Sequence, residues 1–225
     1  MEAGGAPMRG AERRRMVSAQ LVARGITDPL VLQAMREVPR ECFVRASMVD
    51  RAYHDGPLPI GHGQTISQPY IVAAMTAAAR LKPGVRVLEI GTGSGYGAAV
   101  ASRIAAEVYT VERVSTLAAA AAARLARLGY ANVHVREGDG SRGWPEHAPY
   151  DAILVTASGP RVPEALLEQL AVGGRLVMPV GVSLAQRLVR VTRTGADEYQ
   201  YDDLEGVTFV PLIGAEGWPS RESEE

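Results

Sequence analysis

Apolar positions along the chain fall into two regimes. Over residues 12–35 they recur at helical spacing, with Met16, Leu21 and Val22 ahead of Gly25 and Ile26, Leu30, Val31 and Met35 after it. Asp28-Pro29 predicts a fresh helix start, with Thr27 or Asp28 as cap and proline in the first turn; Pro39 ends that helix. Between residues 53 and 69 the periodicity gives way to recurring Gly and Pro, which predicts a loop of the long kind that commonly serves function. Pro69 then opens an apolar helix to about residue 81. From residue 85 short β-branched runs alternate with helical ones. Strands are expected at 85–90, 108–111, 133–135, 151–156, 175–179 and 188–192, helices at 96–105, 115–128 and 163–170, and a last strand at 206–211. The alternation predicts an α/β fold: a doubly wound, mostly parallel sheet with helices on both faces, preceded by an N-terminal helical extension.

The expected layout is a disordered tail over 1–10, then helices and an active-site loop over 11–82. A cofactor-binding α/β unit follows over 83–214, and a C-terminal tail over 215–225 closes what is otherwise one structural unit. The 225 residues are enough for a sizeable core. With 24 Lys+Arg against 25 Asp+Glu, charge gives no reason to expect nucleic acid or an anionic membrane as partner. Lys82 is the single lysine and sits beside Pro83, a poor place for a Schiff base. The single cysteine, Cys42, excludes an internal disulfide framework and any multi-cysteine metal centre. No apolar run approaches the ~20 residues of a membrane span, and the N-terminal residues do not read as a secretory signal. A cytoplasmic monomer is expected.

The strongest local signal is Glu89-Ile90-Gly91-Thr92-Gly93-Ser94-Gly95-Tyr96-Gly97, glycines between a strand and a helix. Glycine permits the tight turn and lets backbone approach a ligand closely. A dinucleotide fingerprint counted from Gly91 needs Gly or Ala at position 96 and meets Tyr96, which disfavours NAD. Glu112 ends the next strand, where a carboxylate can accept both ribose hydroxyls. Glu89 and Asp139 add an acid at two further strand ends. Three acids so placed suit a cofactor with a cationic amino-acid end, a ribose and an adenine, which is S-adenosylmethionine (SAM), and offer nothing to a pyrophosphate.

Beyond this motif the chain resembles the protein-L-isoaspartate O-methyltransferase family. The resemblance rests on Arg24-Gly25-Ile26-x-Asp28, Val38-Pro39-Arg40-Glu41-x-Phe43-Val44, Gly63-Gln64-Thr65-Ile66-Ser67-Gln68-Pro69, Asp151-Ala152-Ile153-Leu154-Val155-Thr156-Ala157 and Phe209-Val210-Pro211-Leu212, and runs from about residue 12 to 214. It implies a Rossmann-like class I methyltransferase that carries the methyl group of SAM to the α-carboxylate of L-isoaspartyl residues in damaged proteins, leaving S-adenosylhomocysteine (SAH). It implies Ser67 as the active-site residue; Thr65, Ser67, Glu89, Gly91, Gly93, Gly95, Glu112, Asp139 and Gly140 toward the cofactor; and Ile66 and Val210 toward the substrate. Gly97, Ser158, Gly159 and Thr208 depart from the family pattern, Thr208 on the substrate side. For Ser67, an N-cap of the following helix is an equally weighted reading.

The chemistry so implied needs no general base, because a carboxylate of pKa near ~4 is already ionised at pH 7. That agrees with the lack of any evident Ser/His/Asp or Cys/His arrangement. His54, His62, His134 and His147 form no metal-ligand spacing, and no metal is expected; His62 alone lies close to the Ser67 loop. Tyr53 and Tyr96 are expected in packing, Cys42 as a small core residue. The competing readings are a class I methyltransferase for a dedicated peptide, a SAM-binding protein without catalysis and, more distantly, an NAD-dependent oxidoreductase.

Overall fold

The structure, a computed structural model, describes residues 9–182 and 185–219. Helix α1 (Gly10–Met16) continues through a π turn and a 3-10 turn to Gly25, whose φ of 89° turns the chain. Helix α2 (Pro29–Glu37) starts at Asp28, whose Oδ1 accepts the Leu30 and Val31 N–H groups at 2.9 and 3.2 Å. The region expected as loop contains an antiparallel ribbon, β1 (Leu58–Gly61) with β2 (Gln64–Ile66). Helix α3 (Pro69–Ala78) follows it.

The rest alternates as expected: β3 (Arg86–Ile90), α4 (Tyr96–Ser102), β4 (Glu107–Glu112), α5 (Ser115–Arg127), β5 (Val133–Glu137), β6 (Tyr150–Val155), α6 (Glu164–Glu168), β7 (Leu170–Val182), β8 (Ala185–Arg193) and β9 (Tyr199–Val207). Seven strands form one sheet in the order β5-β4-β3-β6-β7-β8-β9. Pairing is parallel from β5 to β7 and antiparallel through β8 and β9. Strand β3 is buried on both faces. Val87 joins a core shared with the N-terminal helices, α3, α4 and α5, while Leu88 and Ile90 join a second core with Tyr150, Ile153 and Leu166. Between β5 and β6 two 3-10 turns replace a crossover helix, and the Tyr109 ring fills the space, stacked between His134 and His147 at 4.9 and 4.1 Å. Among the described residues no helix is long and apolar enough to cross a membrane.

Three further expectations change. The last strand spans Tyr199–Val207 rather than 206–211; only Pro211 of the later run makes an isolated bridge, to Ser158. The proposed C-terminal tail is folded back as far as it is described: the Trp218 N–H donates to Leu212 O at 2.7 Å and its indole N–H to Ser158 O at 2.9 Å. The tail expected over 1–10 lies mainly outside the described residues, but the Arg9 N–H donates to Glu41 at 3.2 Å and Gly10 opens α1.

Candidate active site

The sheet order reverses at β3, whose two neighbours run to opposite sides, and the crevice beyond such a point is where α/β sheets bind ligands. The glycine segment lies there. Gly91, Gly93 and Gly95 have φ of 92°, 53° and 88°, a region that costs any residue with a Cβ. A Cβ at Gly91 would also collide with Thr156 Oγ1. The Thr156 hydroxyl reaches the Ile90 and Gly91 carbonyls at 3.0 and 2.9 Å, fastening the loop to the end of β6.

Glu112, at the end of β4 and 7 % exposed, accepts the Gly93 N–H on one oxygen at 2.8 Å and the Val114 N–H on the other at 2.9 Å. These bonds fix the carboxylate beside a cavity of about 520 Å³, within the roughly 300–1,000 Å³ of small-molecule sites. Gly91, Gly93, Gly140 and Thr156 share its wall, and the β1–β2 ribbon supplies His62, Gln64 and Thr65. A second cavity of about 730 Å³ holds Ser67, Gln68, Ile71, Thr208 and Phe209, with Arg24 and Glu205 also on its wall. Thr65, Thr156 and Val210 line both cavities, which therefore adjoin.

Several residues singled out in the sequence stand elsewhere. Glu89 is on neither cavity wall; it is 2 % exposed and lies behind the loop, where the Thr110 hydroxyl donates to it at 2.7 Å. Burial, with a smaller push from Glu112, raises its pKa to about 8, so it holds a proton at neutral pH. Gly97 makes room for it, since a Cβ there would meet the Glu89 carboxyl. Gly95 faces α5, 3.1 Å from Leu125 Cδ1 to where a Cβ would stand. Asp139 is absent from both walls: its carboxylate accepts the Ser141 N–H and O–H and the Ala215 N–H at 2.9, 2.7 and 2.8 Å. Ile66 points into the core. Ser67 is not the cap of α3; Gln68 takes that position without a side-chain cap bond, and donates instead to Asp55 at 2.7 Å. Thr156 and His62 are on the wall but were not chosen from the sequence; a hydroxyl residue at the end of a buried strand was the available signal for the first.

Tyr53 and Tyr96 are packed, as expected. Tyr53 donates to Glu41, which pairs with Arg13 at 3.7 Å, and the Tyr96 ring lies under the Arg40 guanidinium at 4.8 Å. Among the described residues no cluster of His, Cys, Asp and Glu could hold a metal ion.

The buried Glu89 makes stability depend on pH. Its pKa is raised on folding, from an ordinary 4.5 to about 8, so the folded chain keeps a proton that the unfolded chain releases. Its contribution is complete below the unfolded value and is lost as pH rises toward about 8, by at most about 1.4 kcal/mol per unit. Glu89→Gln should therefore gain in melting temperature over the parent protein as pH rises from 5 to 8. Parallel melting curves across that range would contradict the assignment.

The model of the protein-L-isoaspartate(D-aspartate) O-methyltransferase family matches residues 12–217. The chain belongs to that family. It is 64 % identical over 211 residues to protein-L-isoaspartate O-methyltransferase 1 of Rhodopseudomonas palustris (strain HaA2), covering 93 % of this chain and 86 % of the relative. It is 63 % identical over 214 residues to protein-L-isoaspartate O-methyltransferase 2 of Pelobacter propionicus, covering 94 % and 95 %. Among solved structures, a protein-L-isoaspartate O-methyltransferase superposes with a TM-score of 0.81 at 32 % identity, over 91 % of this chain and 67 % of that one. A Plasmodium falciparum protein described as a member of the family, solved with SAH, superposes with a TM-score of 0.78 at 28 % identity over 89 % and 98 %. The Rossmann-like methyltransferase fold implied by the resemblance is the fold observed, and the family's match extends over the C-terminal segment up to residue 217.

Proposed function

We propose that the protein transfers the methyl group of SAM to the α-carboxylate of L-isoaspartyl residues in damaged proteins and peptides, and so begins their repair. The observation that carries this reading is the pair of adjoining cavities, one walled by the glycine loop and Glu112, the other by Ser67, with Thr65, Thr156 and Val210 common to both.

The residues present fit SAM. Gly91 and Gly93 let the main chain approach it, and the Glu112 carboxylate, held by two N–H groups, has further lone pairs for two ribose hydroxyls. Bound there, SAM supplies a methyl group made electrophilic by its sulfonium. Ser67 donates a hydrogen bond to one oxygen of the incoming carboxylate and leaves the other free to attack. Ile71 and Phe209 give the acceptor cavity an apolar wall, and Val210 does so where the two cavities meet. No residue has to remove a proton. Holding the two reactants in line supplies roughly 7–11 kcal/mol of barrier lowering. The peptide nitrogen that follows attacks the ester carbonyl and closes a succinimide, the methoxy group leaving as methanol with the nitrogen's proton, and water opens that ring to aspartate in part. The enzyme acts as a monomer in the cytoplasm in this reading, and a net charge of -1 supports the absence of a nucleic-acid partner. Following one isoaspartyl peptide by liquid chromatography with mass spectrometry, the chromatography separating the aspartyl and isoaspartyl isomers of equal mass, should show methyl ester, succinimide and aspartyl peptide in that order; loss of isoaspartate without an ester would overturn the reading.

A further inference from the structure

The tip of the β1–β2 ribbon reaches a helix distant in sequence. Gly61, His62 and Gly63 have φ of 107°, 52° and 68° in succession. A two-residue hairpin loop takes positive φ at both of its residues, so the turn itself sets the backbone of His62 and Gly63 and aims the His62 side chain away from the ribbon core. His62 Nε2 and Thr116 Oγ1 share a hydrogen bond of 3.0 Å across 54 residues of sequence, joining the ribbon tip to the first turn of α5. The cavity beside Glu112 lies between the ribbon and the connection from β4 into α5, with His62, Gln64 and Thr65 on the ribbon side and Glu112, Arg113 and Val114 on the other. The same ribbon runs on to Ser67 in the adjoining cavity.

We propose that the His62–Thr116 contact is a latch that holds the ribbon over the bound cofactor, which makes His62 a positioning residue. The ribbon is the wall between cofactor and solvent on that side, so fastening its tip slows cofactor escape. Because Thr65 and Ser67 follow on the same strand and its exit, the latch also fixes where the methyl acceptor is held. The inference rests on the reading that this cavity takes SAM and SAH.

A role confined to the turn and a role as latch move two measurements differently. His62→Gly removes the unfavourable φ, so a turn residue replaced this way leaves the melting temperature equal or higher and SAH binding unchanged. The latch predicts the same melting behaviour with SAH dissociating about fivefold faster, the scale of one net hydrogen bond. Thr116→Val, an exposed and nearly isosteric change, should raise the SAH dissociation constant by a similar factor. The double variant His62→Gly with Thr116→Val should be no weaker than either single one, because both remove the same contact. SAH affinity unchanged in both single variants, or losses that simply add, overturns the latch. Failure of the parent protein to bind SAH at all overturns the cofactor reading beneath it.

Discussion

Replacing Glu112 by alanine should weaken SAH binding about a hundredfold. The glycines on the cavity wall provide close approach but no side chain, and in the proposed reading Glu112, the carboxylate among the residues lining that wall, accepts from two ribose hydroxyls. Hydrogen bonds to a charged group contribute about 1.5–3 kcal/mol each. Two at the low end amount to about 3 kcal/mol, which is about a hundredfold in affinity. The carboxylate also orients the loop by accepting the Gly93 N–H, so part of the loss is loop disorder. Glu112→Gln separates the two contributions. It keeps the shape and one acceptor oxygen, and should lose about tenfold. Calorimetric titration with SAH checks both variants, and a dissociation constant within twofold of the parent in Glu112→Ala would place the ribose elsewhere.

Ser67→Ala should lower the methylation rate more than tenfold while SAH affinity stays within a few fold. The hydroxyl stands on the acceptor cavity and is not engaged as the cap of α3, so it is available to the substrate carboxylate. Its loss removes one donor that holds the reacting oxygen in line, and misplacement of that kind is costly in a reaction that depends on positioning. Measuring the rate under saturating SAM keeps cofactor binding out of the comparison. A rate equal to the parent's would remove Ser67 from the mechanism.

Much of the fold is legible because parallel strands buried on both faces are continuous apolar runs, as at 152–155 in β6. The β1–β2 ribbon is masked in the sequence although Leu58, Ile60 and Ile66 flank Gly61-His62-Gly63, a hairpin pattern. Pro57 and Pro59 obscured it, and a two-stranded ribbon tolerates a proline that a central strand would not. Strand β9 was placed too late because Tyr199–Val207 lacks apolar alternation. It is an edge strand tied by charge, with Asp202 on Arg190 at 2.9 Å and Asp203 on Arg187 at 3.8 Å.

The site divides the same way. The glycine loop and Glu112 follow from local sequence. Glu89 does not reach the wall because strand side chains alternate: it shares the face of Val87, toward the core that includes α4, and not the open end of the strand. Asp139 could not be read, since its partner Ala215 lies 76 residues away. Thr156 joins the site through the pairing of β6 with β3, which no local sequence pattern specifies.

The central claim is transfer of a methyl group to isoaspartate, and its most direct test uses SAM labelled in the methyl group with two peptides that differ only in L-aspartate versus L-isoaspartate. The account predicts label in the isoaspartyl peptide alone, released by base as expected of a methyl ester. Label in both peptides alike, or in neither while SAH still binds, would contradict it.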